Sequence, residues 1–439
     1  MELRDLVVTP IWLIIILVGA VLVRTRIKDP LIRPYFLPAL IVRLIGAVAV
    51  GMVYQFYYGG GDTFNFHTYG SRIIWEAAME DPMAGLNLFF QTSAADYARA
   101  QKILFYHDPA SFALIRIIAI VDLLTFSSYS ATALLFGLIS FGGAWALFLA
   151  FYRLHPELHK PLAFATLFVP SVFFWGSGIL KDTITLAALG FLVFGLFSIF
   201  VHHRPGFFSV AGVLVSAAII AAIKIYILLT FLPCVIVVLG LLQLRKFKFW
   251  VTRALVTPVV LAASAILVYF AATRATAENP KYNISQLAET ARVTAMDIRY
   301  YTGKNAGSGY DLGVLDGTWE SIVRLAPAAI NVALFRPYLW EVKNPLMALS
   351  ALETAVMLML TLYFLLKYHL HAIRAMADPL VLFCLLFSLS FALAVGVSTY
   401  NFGTLNRYKI PLIPFYLVFI VLLSRGLKKP QKILTGSAG

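Results

Sequence analysis

The sequence predicts an all-α protein, a polytopic transmembrane helical bundle of about 11 spans with interfacial helices in two outer loops. Three observations predict it. Of 439 residues, 61% are hydrophobic and 14% aromatic, while only 13% are charged; soluble domains usually carry roughly 25%. Apolar runs near the ~20 residues that cross a bilayer as a helix recur along the chain. The 35 Lys and Arg against 21 Asp and Glu, a net charge of +14, fall mostly in short tracts between those runs, where positive charge marks the cytoplasmic side. A water-soluble fold of this size could not cover its surface with so few charges. Disordered, fibrous and disulfide-stapled classes are excluded by the same composition.

Spanning helices are predicted over roughly 7–23, 37–57, 130–152, 161–176, 183–201, 206–223, 227–243, 254–272, 345–366, 378–397 and 410–425. The N-terminus lacks the charged flank and cleavage site of a removable signal peptide, so the first run is expected to stay as a membrane helix. The run over 110–126 is apolar but carries Arg116 and Asp122. Basic tracts occur at Arg24/Arg26/Lys28/Arg33, Arg153/Lys160, Arg204, Arg245/Lys246/Lys248/Arg253, Lys367/Arg374 and Arg425/Lys428/Lys429/Lys432. Placing all of them in the cytoplasm requires an even number of crossings between the first two tracts, so 110–126 is read as interfacial or re-entrant. The expected topology has the N-terminus outside and the C-terminus cytoplasmic. Residues 1–439 then form a single integral membrane domain, with outer loops over roughly 58–129 and 273–344. Stretches such as 86–90 and 328–340 suit helices lying at the interface. No heptads, low-complexity tracts or tandem repeats stand out.

The basic surplus works as a topology signal, and nucleic acid is not an expected partner. Cys234 and Cys384 sit inside apolar runs and read as small buried hydrophobes, without a disulfide, zinc or redox motif. Asn283-Ile284-Ser285 is formally a glycosylation acceptor, a three-residue match that chance produces often.

Ionisable groups near apolar spans are costly, so their positions carry information. The first cluster, Gly59-Gly60-Gly61-Asp62-Thr63-Phe64-Asn65-Phe66-His67, follows the second span. The glycines let the backbone leave the helix tightly, and Asp62 is expected to N-cap the next helical turn. Capping is one reading; a carboxylate and an imidazole five residues apart also suit acid–base work or metal binding. No G-x-x-x-x-G-K-[ST] pattern accompanies the glycines, so they are not a nucleotide loop. The second cluster ends in Gly176-Ser177-Gly178-Ile179-Leu180-Lys181-Asp182. Lys181 and Asp182 either neutralise each other or leave Lys181 as a point charge for a phosphate at the lipid boundary. Arg336, among Phe335, Pro337, Tyr338 and Trp340, either snorkels from an interfacial helix or faces a lipid pyrophosphate. Arg407 and Lys409 lie on the expected outer side, against the positive-inside tendency, and anion binding is the simplest reason. Glu353 falls within a span and is matched to a basic group such as Lys224.

These clusters resemble the multi-spanning GT-C-type glycosyltransferases and polysaccharide-assembly polymerases of bacteria. The likeness rests on an acidic residue in the first outer loop after an early helix, and on the stretches Gly61–His67, Trp175–Asp182 and Arg407–Pro414. It spans most of the chain in order through short motifs. It implies a transferase at the outer face of the inner membrane that uses a sugar donor linked to polyprenyl phosphate or pyrophosphate. The acceptor would be a glycan, lipid or protein, with membrane lipids and envelope-assembly proteins as partners. It implies Asp62 as catalytic base or metal-associated group, with His67 in support. It also implies Lys181, Arg336, Arg407 and Lys409 at the lipid phosphate. The family's paired acidic motif is absent, since Thr63 follows Asp62, so a divalent metal has no such motif to support it. A further departure is the spanning helix that precedes the one leading into the acidic loop. Two other functions fit the same composition: a transporter or flippase of lipid-linked glycans, and a non-catalytic scaffold of an envelope-assembly complex.

Overall fold

The computed structural model describes residues 3–244, 286–302 and 308–424. The candidate span over 254–272, the sequon at Asn283 and the basic tracts over 245–253 and 425–432 lie outside the described residues. Among the described residues the protein is helical, with no strand. Seven helices are long and apolar enough to cross a membrane, or eight if a bent pair near the C-terminus is one span. The chain is therefore an all-helical membrane protein, as the composition predicts. It divides into two compact units, Met1–Phe231 with Asn401–Pro414, and Leu232–Tyr400 with Phe415–Gly439.

The first unit opens with α1 (Leu3–Thr25) and α2 (Arg33–Met52). The latter continues through a π-helical turn at Val53–Tyr57. The glycines then reverse the chain into α3 (Asp62–Phe66), and a second π-helical turn, His67–Ser71, leads into α4 (Arg72–Glu80). Next come α5 (Pro82–Phe90), α6 (Tyr97–Ala100) and α7 (Pro109–Thr125). Asp81 and Asp108 cap α5 and α7, each followed by a proline at the first helical position; that pairing supplies an acceptor for the orphan N–H groups and a pre-set φ. The expected interfacial stretch over 110–126 is thus a 17-residue helix. Phe66, Ile74, Leu88, Phe112, Ile115 and Ile118 meet in a buried core. Residues 62–125 thus form a packed helical cap.

Three of the long apolar helices of this unit form its packed centre: α2, α8 (Tyr129–Tyr152) and a later helix that begins at Lys181. The span expected over 161–176 is instead broken into α9 (His159–Leu167) and α10 (Pro170–Trp175). Pro170 is the physical reason. It disfavours helical backbone at the preceding residue, and Val169 is extended (φ −71, ψ 124). After α10 the chain runs through Gly176 and Gly178 to α11 (Lys181–Leu196), which a π-helical turn extends to Val201. Helix α8 packs on α2 and on α11, the latter through small residues: a Cβ on Gly143 would lie 2.3 Å from the Cα of Ala187, and one on Gly190 would lie 2.0 Å from the carbonyl oxygen of Gly143.

The two spans expected over 206–223 and 227–243 are both helical, and they meet at a sharp kink at Lys224 (φ −144, ψ 68) within α12 (Phe207–Leu244). Lys224 itself is the non-helical residue at the kink.

The second unit contains α13 (Leu287–Thr302), α14 (Trp319–Phe335), α15 (Pro345–Ala375) and α16 (Pro379–Thr399). Gly396 of α16 lies against the backbone of Ala329 in α14. The buried hydroxyl of Tyr310 donates to the carbonyl of Gly396 at 3.0 Å. The chain then re-enters the first unit as α17 (Phe402–Tyr408), capped by Asn401, before α18 (Leu412–Leu423). Cys234 and Cys384 are buried, as their apolar settings predict.

Candidate functional site

Three parts of the first unit meet at one end of its helices. The α2 terminus comes near the start of α8, because the ring of Tyr129 lies against Gly51 and its hydroxyl is 2.6 Å from Thr63 Oγ1. Leu180 is extended and hands over to α11, which places Asp182 in the first helical turn, where a carboxylate also suits the helix dipole. Gly60 (φ +134) and Gly61 (φ +122) take backbone that L side chains rarely adopt, and so present α3 beside the end of α2. Gly61, not Asp62, is the residue at the N-cap; Asp62 is the first residue of the helix. Its carboxylate is therefore not used up on the helix terminus and turns to a partner elsewhere.

That partner is Arg407. Its Nη1 donates to Asp62 Oδ2 at 2.6 Å and to the Tyr54 hydroxyl at 3.0 Å, and its Nε donates to Asp182 Oδ2 at 2.7 Å. Lys224 completes the set from the kink in α12, its Nζ 2.5 Å from Asp182 Oδ1 and 4.4 Å above the Tyr408 ring. Two acids and two bases thus balance in a single chain, Asp62–Arg407–Asp182–Lys224. Exposure is unequal along it. The side chains of Asp182 and Lys224 are 1% and 8% exposed, that of Arg407 12%, and that of Asp62 41%. The buried end is fully neutralised, while the open end presents a carboxylate held by one guanidinium.

Lys181 and Asp182 do not neutralise each other. Successive helical residues point about 100° apart, and Lys181 reaches Asp108 Oδ2 at 3.4 Å while lying 5.7 Å above the Phe66 ring. Partial burial raises the Asp108 pKa, but the hydrogen bonds from Ser111 and the Lys181 charge outweigh it and hold the carboxyl below the ordinary aspartate value. Tyr58, at the mouth of the glycine turn, is pushed up to about 12 by burial, so its phenol stays protonated at neutral pH.

His67 is not a companion of Asp62. A five-residue spacing puts two side chains about 140° apart on a helix, and a π-helical turn begins at His67 itself. The imidazole is completely buried, with Nε2 3.4 Å from Asp122 Oδ1. Ser71 and Thr132 donate to the same carboxylate at 2.6 and 3.0 Å. This second cluster is internal to the helical cap. Lys409 is 1% exposed, so the Arg407/Lys409 pair is not an outward-facing basic surface. Arg336 belongs to the second unit, where it caps α14 and forms a fork to Glu341, with Nε 3.0 Å from Oε2. The Glu341 hydrogen bond raises the Arg336 pKa above its ordinary value. Lys224, expected to pair with an acid, pairs with Asp182.

Asp182 was legible in the sequence as one half of a dipeptide, and Lys224 as an ionisable residue in an apolar run, but neither as a partner of Arg407. Tyr54 carried no signal at all. Beside the site an open recess of about 180 Å³ is lined by Gln55, Gly59, Gly60, Phe64, Thr68 and Tyr69, all uncharged. Among the described residues no group of three His, Cys, Asp or Glu is placed to hold a metal ion. The acids of the site face a guanidinium and an ammonium, a set that does not suit a cation.

No protein-family model matches the chain, and no curated protein or solved structure matches it either.

Proposed function

We propose that the protein is a membrane glycosyltransferase of the GT-C type, using a sugar donor linked to polyprenyl phosphate or pyrophosphate. It would act at the outer face of a bacterial inner membrane, in the assembly of a cell-surface glycan. The observation that carries this proposal is the ion-pair chain whose exposed end is Asp62 and whose centre is Arg407, at the end of the bundle where α2 stops and α11 starts. A carboxylate and a guanidinium in contact, half in water and beside apolar helices, are the two charges that transfer from a lipid phosphate requires. The topology that goes with this reading places the N-terminus outside and the C-terminus in the cytoplasm.

Asp62 takes the proton of an acceptor hydroxyl as its oxygen attacks the anomeric carbon. The bond from that carbon to the lipid phosphate oxygen breaks, and the phosphate leaves with the electron pair. Arg407 stabilises the charge that develops on it, with Lys181 as a second cation. Asp182 and Lys224 position Arg407 and do not touch the substrate. The neutral recess at Gln55, Thr68 and Tyr69 suits an acceptor's hydroxyls. His67, buried on Asp122, supports the cap instead of the chemistry.

Replacing Asp62 by Asn keeps shape and removes the base, so transfer should fall by at least about 10²-fold while the protein stays in the membrane. The measurement is sugar transfer by purified protein with polyprenyl-linked donors, with and without divalent metal. Retained transfer in Asp62→Asn removes Asp62 from the mechanism.

One observation favours a second function, movement of a lipid-linked anion across the bilayer. Lys224 sits at a non-helical residue midway along a span of 36 residues, and broken helices carrying charge are a feature of transport sites. Translocation of a fluorescent polyprenyl phosphate in proteoliposomes, without transfer, would decide for it.

A further inference from the structure

We infer that Arg407 is an anion site whose resident occupant is Asp62, so that an incoming phosphate takes the guanidinium and releases the carboxylate in one exchange. The inference rests on the transferase proposal for what the released carboxylate then does, though not for the exchange itself.

The two acids on Arg407 are unequal. Asp182 is 1% exposed and shares its other oxygen with Lys224 at 2.5 Å, so breaking that arm would strand buried charge on both sides. Asp62 is 41% exposed and has one cation, and a water-accessible pair of this kind is held weakly. Its support is also slight. Asp62 opens a five-residue helix behind two glycines, Gly59 and Gly60, whose Cβ positions meet nothing within 4 Å. The arm that yields is therefore the Asp62 arm.

The replacement must be an anion that outbids a carboxylate for a guanidinium. A phosphate monoester or diphosphate carries more charge and more acceptor oxygens than a carboxylate, and arginine pairs well with it. Tyr54, which accepts from the same Nη1 at 3.0 Å, can donate its own hydroxyl hydrogen to a phosphate oxygen. Behind the exchange, Asp182 and Lys224 keep Arg407 in place. Phosphate capture and exposure of a base become one event, and Asp62 stays masked while no donor is bound.

The experiment titrates full-length protein in nanodiscs with inorganic pyrophosphate and, separately, with a short-chain polyprenyl phosphate. Wild type, Asp62→Asn, Asp62→Ala and Glu76→Gln are compared. Glu76 is an exposed acid of the same helical cap, and its neutralisation changes net charge equally. If Asp62 competes for Arg407, both Asp62 variants bind about threefold to tenfold more tightly and Glu76→Gln stays near wild type. Tightening toward pyrophosphate assigns the exchange to the phosphate group alone; tightening only toward the polyprenyl phosphate assigns it to a lipid-borne phosphate. Either supports the exchange. Unchanged or weaker binding in the Asp62 variants overturns it, as does an equal gain in Glu76→Gln. Sugar transfer is read separately. Tighter binding with transfer retained would leave the exchange standing and sink the catalytic role of Asp62, and weaker binding with transfer lost would do the reverse.

Discussion

At the scale of single residues, the protein concentrates its few charges into pairs that finish one another's valence. Asp182 holds two cations while almost fully buried. Asp182→Asn should therefore leave Lys224 and Arg407 short of a counter-charge in an apolar setting, a loss of about 3–5 kcal/mol. Thermal unfolding in detergent should show it as a large drop in Tm, while Asp62→Asn, at the exposed end, should change Tm little. Equal effects of the two variants would contradict the gradient of burial along the ion-pair chain. This residue-level pattern was half legible. Asp62 and Arg407 stand out as charges out of place beside apolar runs, and the structure joins them directly. Their connection through Asp182 was hidden because contact between residues 225 positions apart leaves no mark in local spacing. His67 shows the opposite failure. Nearness in sequence suggested a shared site with Asp62, and helical rotation turned it to Asp122 instead.

At the scale of elements, the spans that read correctly are α1, α2, α8, α11, α15 and α16, each long and apolar enough to cross a membrane. An inner proline does not decide the outcome by itself: Pro10 and Pro38 sit inside α1 and α2, whereas the chain breaks before Pro170, and hydropathy does not tell the two cases apart. The early end of α10 at Trp175 leaves helix-terminal carbonyls inside the unit, away from water. Arg43 supplies a donor. Its Nη1 donates to Ser140 Oγ at 2.9 Å and to the carbonyl of Val172 at 3.1 Å, and Ser140 donates in turn to the carbonyl of Gly176. A buried arginine in the second span was thus the overlooked sign of a broken neighbour. Packing of α8 on α11 depends on having no side chain at Gly190, since a Cβ there would overlap the Gly143 carbonyl oxygen at 2.0 Å. Gly190→Val should force the helices apart at a cost of about 1–3 kcal/mol, measurable as a lowered Tm and slower mobility on size exclusion. An unchanged Tm would mean that the helices are not held that closely.

At the scale of the molecule, composition alone established an all-helical membrane protein, and charge bias proposed which ends face out. The helical cap over 62–125 was the larger surprise, because its core is built from short apolar stretches that read one by one as interfacial. Its exposed Ser93 offers a direct topology test. In Ser93→Cys, a membrane-impermeant maleimide should label the protein on intact cells or spheroplasts. The two native cysteines are buried and should contribute little background. Labelling confined to inside-out vesicles would invert the proposed orientation, and with it the face on which the ion-pair chain works.

The position of Arg407 has a consequence for how the protein is made. Asp62, Asp182 and Lys224 leave the ribosome in that order, but the guanidinium that links the first two arrives 345 residues after Asp62. Until then Asp182 has only Lys224, 42 residues downstream, to accompany it into the bilayer. The site is thus assembled as a last step of synthesis. A nascent chain that stalls or is cut before α17 can insert most of its helices and still lack the residue on which the chemistry turns, so competence would be conferred only on molecules translated through Arg407.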